Sequence, residues 1–231
     1  MLTPKKKIKI SQKDLKKDEL IDVVEKASLW YYENQRNVLI AGVSIALVSV
    51  GLFLFSNWNK SKNEKASAEL GKVYSLYDNQ QFKEAIEGIP AQNIPGLKAI
   101  VDNNGGTDAG EIAQLYLANC YYNVGNIDEA YKSYDDCSVS APQLKAAVES
   151  GLAACDESRK KYGDAGEHYR KAASFDPTNT ISAEYLQSAA KNFGLAGQKE
   201  TAVELLKRIK KEFPQSMQAR DADKYLAEFS S

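Results

Sequence analysis

A chain of 231 residues with 43% hydrophobic and 26% charged residues is long enough for a folded domain with a core of its own, and its composition excludes a wholly disordered chain. The formal net charge of -1 hides a split: residues 1–37 hold nine Lys/Arg against six Asp/Glu, and residues 59–231 hold 21 against 25. So acidic a body has no positive surface with which to displace counterions from a phosphate backbone, which argues against nucleic acid as a partner.

In chain order, the first predicted element is the tail, 1–37. It opens on Lys5-Lys6-Lys7-Ile8-Lys9, and Leu15, Leu20, Val23, Val24, Ala27 and Trp30 then fall at helical spacing. Two readings stay open, an amphipathic helix lying on a membrane surface with its lysines toward anionic lipid, or a solvated tail. The next element, Val38–Phe55, carries no charge over eighteen residues. As a helix it is about 27 Å long, close to the roughly 30 Å of a bilayer's hydrocarbon, and residues up to Asn57 complete a membrane-spanning element over 38–57. Trp30, Tyr31 and Tyr32 before it and Trp58 after it suit the headgroup level. A cleaved signal peptide fits poorly, because such apolar regions are shorter, lie nearer an N-terminus and end in small residues, whereas Asn57-Trp58-Asn59-Lys60 follows here.

Beyond Lys60 there is no sustained period-2 alternation, and the expected fold is all-α. Residues 58–89 read as a degenerate helical hairpin with Tyr77, Phe82, Ala85 and Ile89 at helical spacing, cut off by Pro90. Residues 90–108 read as an inserted loop whose apolar middle, 97–101, forms a short helix. From 109 to 231 the sequence repeats itself. The segments 111–142, 146–177 and 183–214 align over 32 positions, with starts 35 and 37 residues apart. Alanine recurs at the eighth position (Ala118, Ala153, Ala190) and at the twentieth (Ala130, Ala165, Ala202). A large residue follows at the twenty-fourth (Tyr134, Tyr169, Leu206), and proline closes each segment (Pro142, Pro177, Pro214). Small residues let paired antiparallel helices approach closely, large ones fill the space beside them, and proline stops the second helix. Glycine marks the turn at Gly125 and Gly197, but Lys160 stands at that position in the middle segment, which predicts a reshaped turn. Residues 218–229 place Ala222, Tyr225, Leu226 and Phe229 at helical spacing, as in a helix that caps an array.

These registered positions resemble the tetratricopeptide repeat. Together with the basic tail, the single apolar segment and the phrases Thr107-Asp108-Ala109-Gly110 and Phe213-Pro214-Gln215-Ser216-Met217-Gln218-Ala219, the chain resembles bacterial inner-membrane tetratricopeptide proteins of the YfgM-like class, ancillary to the Sec translocon. The resemblance implies a single-pass inner-membrane scaffold that assists protein export or envelope assembly, with the N-terminus cytoplasmic and the repeat domain periplasmic. The implied partners are the translocon, exported clients or periplasmic chaperones, with membrane lipid around Val38–Phe55. A structural subunit of a larger membrane complex, or a small-molecule sensor, are the alternatives. Total tail charge supports the orientation, but the nearest flanks oppose it: Lys26 and Arg36 within 18–37 face Lys60, Lys62, Lys65 and Lys72 within 56–75.

In repeats of this kind partners are held by first-helix positions 2, 5, 9, 12 and 13. Here the resemblance assigns Ile112, Leu115, Asn119, Tyr122 and Asn123, then Ala147, Ser150, Ala154, Glu157 and Ser158, then Glu184, Gln187, Lys191, Gly194 and Leu195. The basic clamp that holds acidic C-termini is not expected, since positions 5 and 9 read Leu-Asn, Ser-Ala and Gln-Lys. No enzymatic activity, cofactor or metal is expected. The single histidine, His168, falls where second-helix side chains face solvent, and Cys120, Cys137 and Cys155 lack metal spacing and read as small buried residues.

Overall fold

The computed structural model of the chain describes residues 12–229, with side chains from Val23 onward. The Lys5–Lys9 stretch lies outside the described residues, as do the side chains of Leu15 and Leu20. The described fold is all-α, with ten helices and one two-stranded β ribbon. It divides into two compact units at Trp58.

In the first unit the helix α1, which runs Gln12–Asp78, contains the apolar segment. None of that window is buried: Leu47, Phe53 and Phe55 are all more than 60% exposed. Gly42 and Gly51 have nothing within 4 Å of where a Cβ would stand.

The second unit starts at Asn59 and takes in the end of α1, whose Ala66, Val73 and Leu76 are buried. Next come α2 (Phe82–Glu87), β1 (Gly88–Ile89) paired antiparallel with β2 (Ile94–Pro95), and α3 (Leu97–Asn104). The ribbon binds the ends of α2 and α3 together, and Leu97 and Ile100 complete a core with Val73, Ile86, Ala113 and Leu117. Three helix pairs follow: α4 (Asp108–Asn123) with α5 (Ile127–Asp135), α6 (Pro142–Ser158) with α7 (Tyr162–Ser174), and α8 (Ile181–Leu195) with α9 (Lys199–Glu212). The helix α10 (Met217–Phe229) buries Ala219 and Ala222 against α8 and α9.

Six alanines hold the pairs together. Ala118, Ala153 and Ala190 on the first helices and Ala130, Ala165 and Ala202 on the second are each 0% exposed. A larger side chain there would force the backbones apart. The pairs then stack by setting an aromatic ring on a glycine. A Cβ on Gly151 of α6 would stand 2.3 Å from the Tyr134 ring of α5, and one on Gly166 of α7 would stand 2.9 Å from the Phe193 ring of α8.

The turns correct one expectation. Lys160 does not reshape its turn but takes the same left-handed backbone as the glycines, with φ of 60° against 81° at Gly125 and 79° at Gly197. Its N–H bonds the Glu157 carbonyl and the next N–H bonds Asp156, just as Gly125 and Asn126 bond Tyr122 and Tyr121. Gln80, with φ of 58°, closes α1 in the same way. This pair of bonds satisfies the last carbonyls of each helix, and that gain holds a lysine and a glutamine in a conformation their Cβ atoms disfavour. Pro142 is a second correction. It does not close α5, which ends at Asp135, but occupies the first turn of α6, where its missing N–H has no helical partner to lose.

Candidate protein-binding groove

The first helices present the wall on which partner-binding residues are expected, and several of those side chains already have partners within the protein. Leu115 is a correction: it is 8% exposed and packs in a core cluster with Ala118, Ala130, Tyr134 and Leu152, away from any open wall. Asn119 is half-buried, and its Oδ1 accepts a 2.6 Å hydrogen bond from the Tyr134 hydroxyl. Asn123 is exposed and donates to the Asn119 carbonyl at 2.7 Å. Tyr122 is half-buried over the same cluster.

On α6, Glu157 is exposed and accepts from the Tyr169 hydroxyl at 3.3 Å, and Ser158 donates to the Ala154 carbonyl. Burial raises the Tyr134 and Tyr169 hydroxyls above the usual tyrosine range, which keeps both as neutral donors. On α8, Lys191 lies with Nζ 4.9 Å from the centre of the Tyr225 ring of α10, and the buried Nε2 of Gln187 has no hydrogen-bond partner among the described residues. The structure thus ties Asn119 and Glu157 to tyrosines of the second helices and sets Lys191 over the capping helix.

The open space lies nearer the N-terminal ends of the first helices. One cleft of about 350 Å³ runs between α1 and α4, lined by Asn63, Leu70, Tyr74, Ile112 and Tyr116 among others. A second, of about 490 Å³, lies between the start of α4 and the α5–α6 connection and includes Glu111, Ile112, Val139 and Leu144. Asp108 and Ile112 line both. The corner is held firmly: the Asn63 side chain accepts the Ala109 N–H at 2.8 Å, and Thr107 caps α4 by accepting the Gly110 N–H at 3.0 Å. Of these residues only Ile112 falls at a repeat position tied to binding. Asn63, Leu70 and Tyr74 come from α1, outside the repeat alignment, whereas Glu111, Tyr116 and Val139 lie within its first segment at positions not tied to binding.

His168 is a further correction. It is not a solvated surface residue: its Nδ1 lies 2.7 Å from Glu149 Oε2 and its Nε2 lies 3.7 Å from Asp156 Oδ2. Glu149 and Asp156 are buried on α6, Lys171 Nζ closes on Glu149 at 2.6 Å, and Arg159 lies over the Tyr131 ring and pairs with Asp128. The hydrogen bond to Glu149 raises the His168 pKa against the pull of burial. For Glu149 burial pushes upward, yet the bonds from His168 and Lys171 outweigh it and leave the carboxyl below its ordinary value. Burial raises Asp156. His168 turns both ring nitrogens toward carboxylates of α6, and the cluster clamps α6 to α7. The thiols are equally unsuited to chemistry, since burial pushes Cys120 and Cys137 up to about 12 and Cys155 to about 11. Cys137 is half-buried, its Sγ against the Ser133 carbonyl, which corrects its reading as a buried residue.

Two protein families match this chain. One, described as a tetratricopeptide repeat-like domain, matches residues 28–176, and the other, described as a tetratricopeptide repeat, matches residues 184–216. Families of this kind are typically non-enzymatic modules that bind proteins. Among curated proteins no match was found.

Proposed function

Because this chain belongs to the tetratricopeptide repeat-like family, we propose that it is a membrane-anchored scaffold whose repeat domain holds other proteins at a bacterial inner membrane. Its work on this reading is to assist protein export or envelope assembly, with the translocon, exported chains or periplasmic chaperones as partners. The observation that carries the anchoring is the apolar window of α1, which is long enough to cross a bilayer and has none of its side chains buried by the protein. A helix of that length in a soluble core would be covered, and one left bare in water would aggregate.

The proposed boundaries are a tail over 1–37, a span over 38–57 and an extracytoplasmic domain beyond it. The nine Lys/Arg of the tail favour retaining it in the cytoplasm, and a long folded domain crosses largely regardless of its own flanking charge. The proposed contact surface is the wall of first helices, from the open clefts around Ile112 at their N-terminal ends to Asn119, Tyr122, Asn123, Glu157 and Ser158 further along α4 and α6.

Protease added to spheroplasts tests the orientation. The expected result is digestion of the repeat domain with protection of an epitope fused before Lys5. Loss of the epitope with survival of the domain would reverse the orientation and move every partner to the cytoplasm.

A further inference from the structure

We propose that the joined clefts over the first half of α4 take an extended segment of a partner protein in which a lysine or arginine stands among apolar side chains. This rests on the groove reading above and gives it a site and a partner chemistry. The clefts share Asp108 and Ile112, and each falls within the range of about 300–1,000 Å³ in which proteins hold ligands. The cleft against α1 is mainly apolar, with Leu70, Tyr74, Ile112 and Tyr116, the second sets Ile112, Val139 and Leu144 among Thr107, Ser138 and Ser140, and the only charged residues lining either one are Asp108 and Glu111.

Both charges are negative, and neither makes an ion pair among the described residues. Asp108 is exposed. Glu111 uses one oxygen to accept the Ser138 N–H at 2.7 Å, which leaves the other available. An acidic or C-terminal carboxylate ligand would meet repulsion here. A guanidinium or ammonium would meet a carboxylate and the edge-to-face pair of Tyr74 and Tyr116, whose centroids are 5.9 Å apart. Tyr74 is 50% exposed and free to be covered, while Tyr116 is steadied by Tyr77 at 4.7 Å. A tyrosine gives large contact area while losing few rotamers, which suits it to anchor a partner. Packed helices lie about 8–10 Å apart, so neighbouring clefts are separated by about three residues of extended chain. The partner segment should therefore carry its basic and apolar anchors at about that spacing.

The test uses the full chain in nanodiscs of zwitterionic lipid and two short fluorescent peptides, one of alternating leucine and arginine and the other with glutamate for arginine, read by anisotropy against empty discs. The arginine peptide should bind the protein and the glutamate peptide should not. Asp108→Asn should weaken binding about tenfold and flatten its salt dependence, Tyr74→Ala should weaken it about tenfold, and Glu204→Gln on α9 should change nothing. The unfolding midpoint, measured alongside, should stay put in all three variants. Equal binding of the two peptides, binding no greater than to empty discs, or indifference to both Asp108→Asn and Tyr74→Ala would overturn the proposal. The broader groove reading has a separate test in capture of the native partner. If Tyr122→Ala releases that partner while Asp108→Asn and Tyr74→Ala keep it, this cleft is wrong and the groove stands.

Discussion

The apolar stretch of α1 and the repeat array are built from the same kind of helix, yet they place their side chains in opposite ways. In the stretch the large residues point outward, with Leu47 68% and Phe53 71% exposed, and its glycines touch nothing. In the array the small residues point inward, six alanines are fully covered, and glycines lie under aromatic rings. The array therefore makes its own apolar interior from close backbone approach, while the stretch depends on its surroundings to supply one. Lipid is a surrounding that matches its length and its lack of charge.

Glycine substitution sets the two regions against each other most sharply. Gly151→Ala would drive a methyl into the ring of Tyr134, which is 4% exposed and tied to Asn119, so the ring cannot swing aside. Overpacking of this kind should cost about 1–3 kcal/mol, read as a lower thermal midpoint. Gly51→Ala, with open space around it, should leave the midpoint unchanged. An equal effect at both sites would mean that α1 packs against something within the protein.

Lys160→Gly acts in the other direction. Relief of the left-handed strain, less the entropy of a freer unfolded chain, should stabilise the array by about 1 kcal/mol, roughly 2–4 °C in midpoint. No gain would show that the lysine side chain compensates for its backbone.

The smallest effect is a pH dependence confined to the array. The folded pKa of His168 lies above its unfolded value, so its contribution is complete below about 6.5 and is lost as pH rises through the folded value. Glu149 has a lowered folded pKa, and its contribution is lost as pH falls through that value. Because the chain has one histidine, His168→Ala should abolish the decline in stability that begins as pH rises above about 6.5. A slope that persists in that variant would remove His168 from the account.

Much of the array was legible from the sequence because its rules are local and recur. The alanines, the turn glycines and the proline spacing each report one helix pair. What escaped depends on residues far apart in the chain. Asp156 stands where the other units place the half-buried Tyr121 or the buried Phe193, and this buried acid, together with Glu149, is what draws in His168 from the next helix. A charged residue in a slot filled elsewhere by an aromatic was the available signal. Lys160 escaped because the two hydrogen bonds that close the turn come from the backbone and are indifferent to side-chain type. The cleft between α1 and α4 escaped because those helices are separated in the chain by the inserted ribbon and α3, where no repeat period leads, and the second escaped because Glu111 and Val139 stand at repeat positions not tied to binding.

Alkaline carbonate extraction of membranes carrying the full chain, compared with a chain starting at Asn59, tests the contrast most directly. The account predicts that the full chain stays in the sedimented membranes, while the shorter chain remains in solution as a folded domain. Release of the full chain into the supernatant would contradict it, because the exposed apolar stretch of α1 would then need a cover other than lipid.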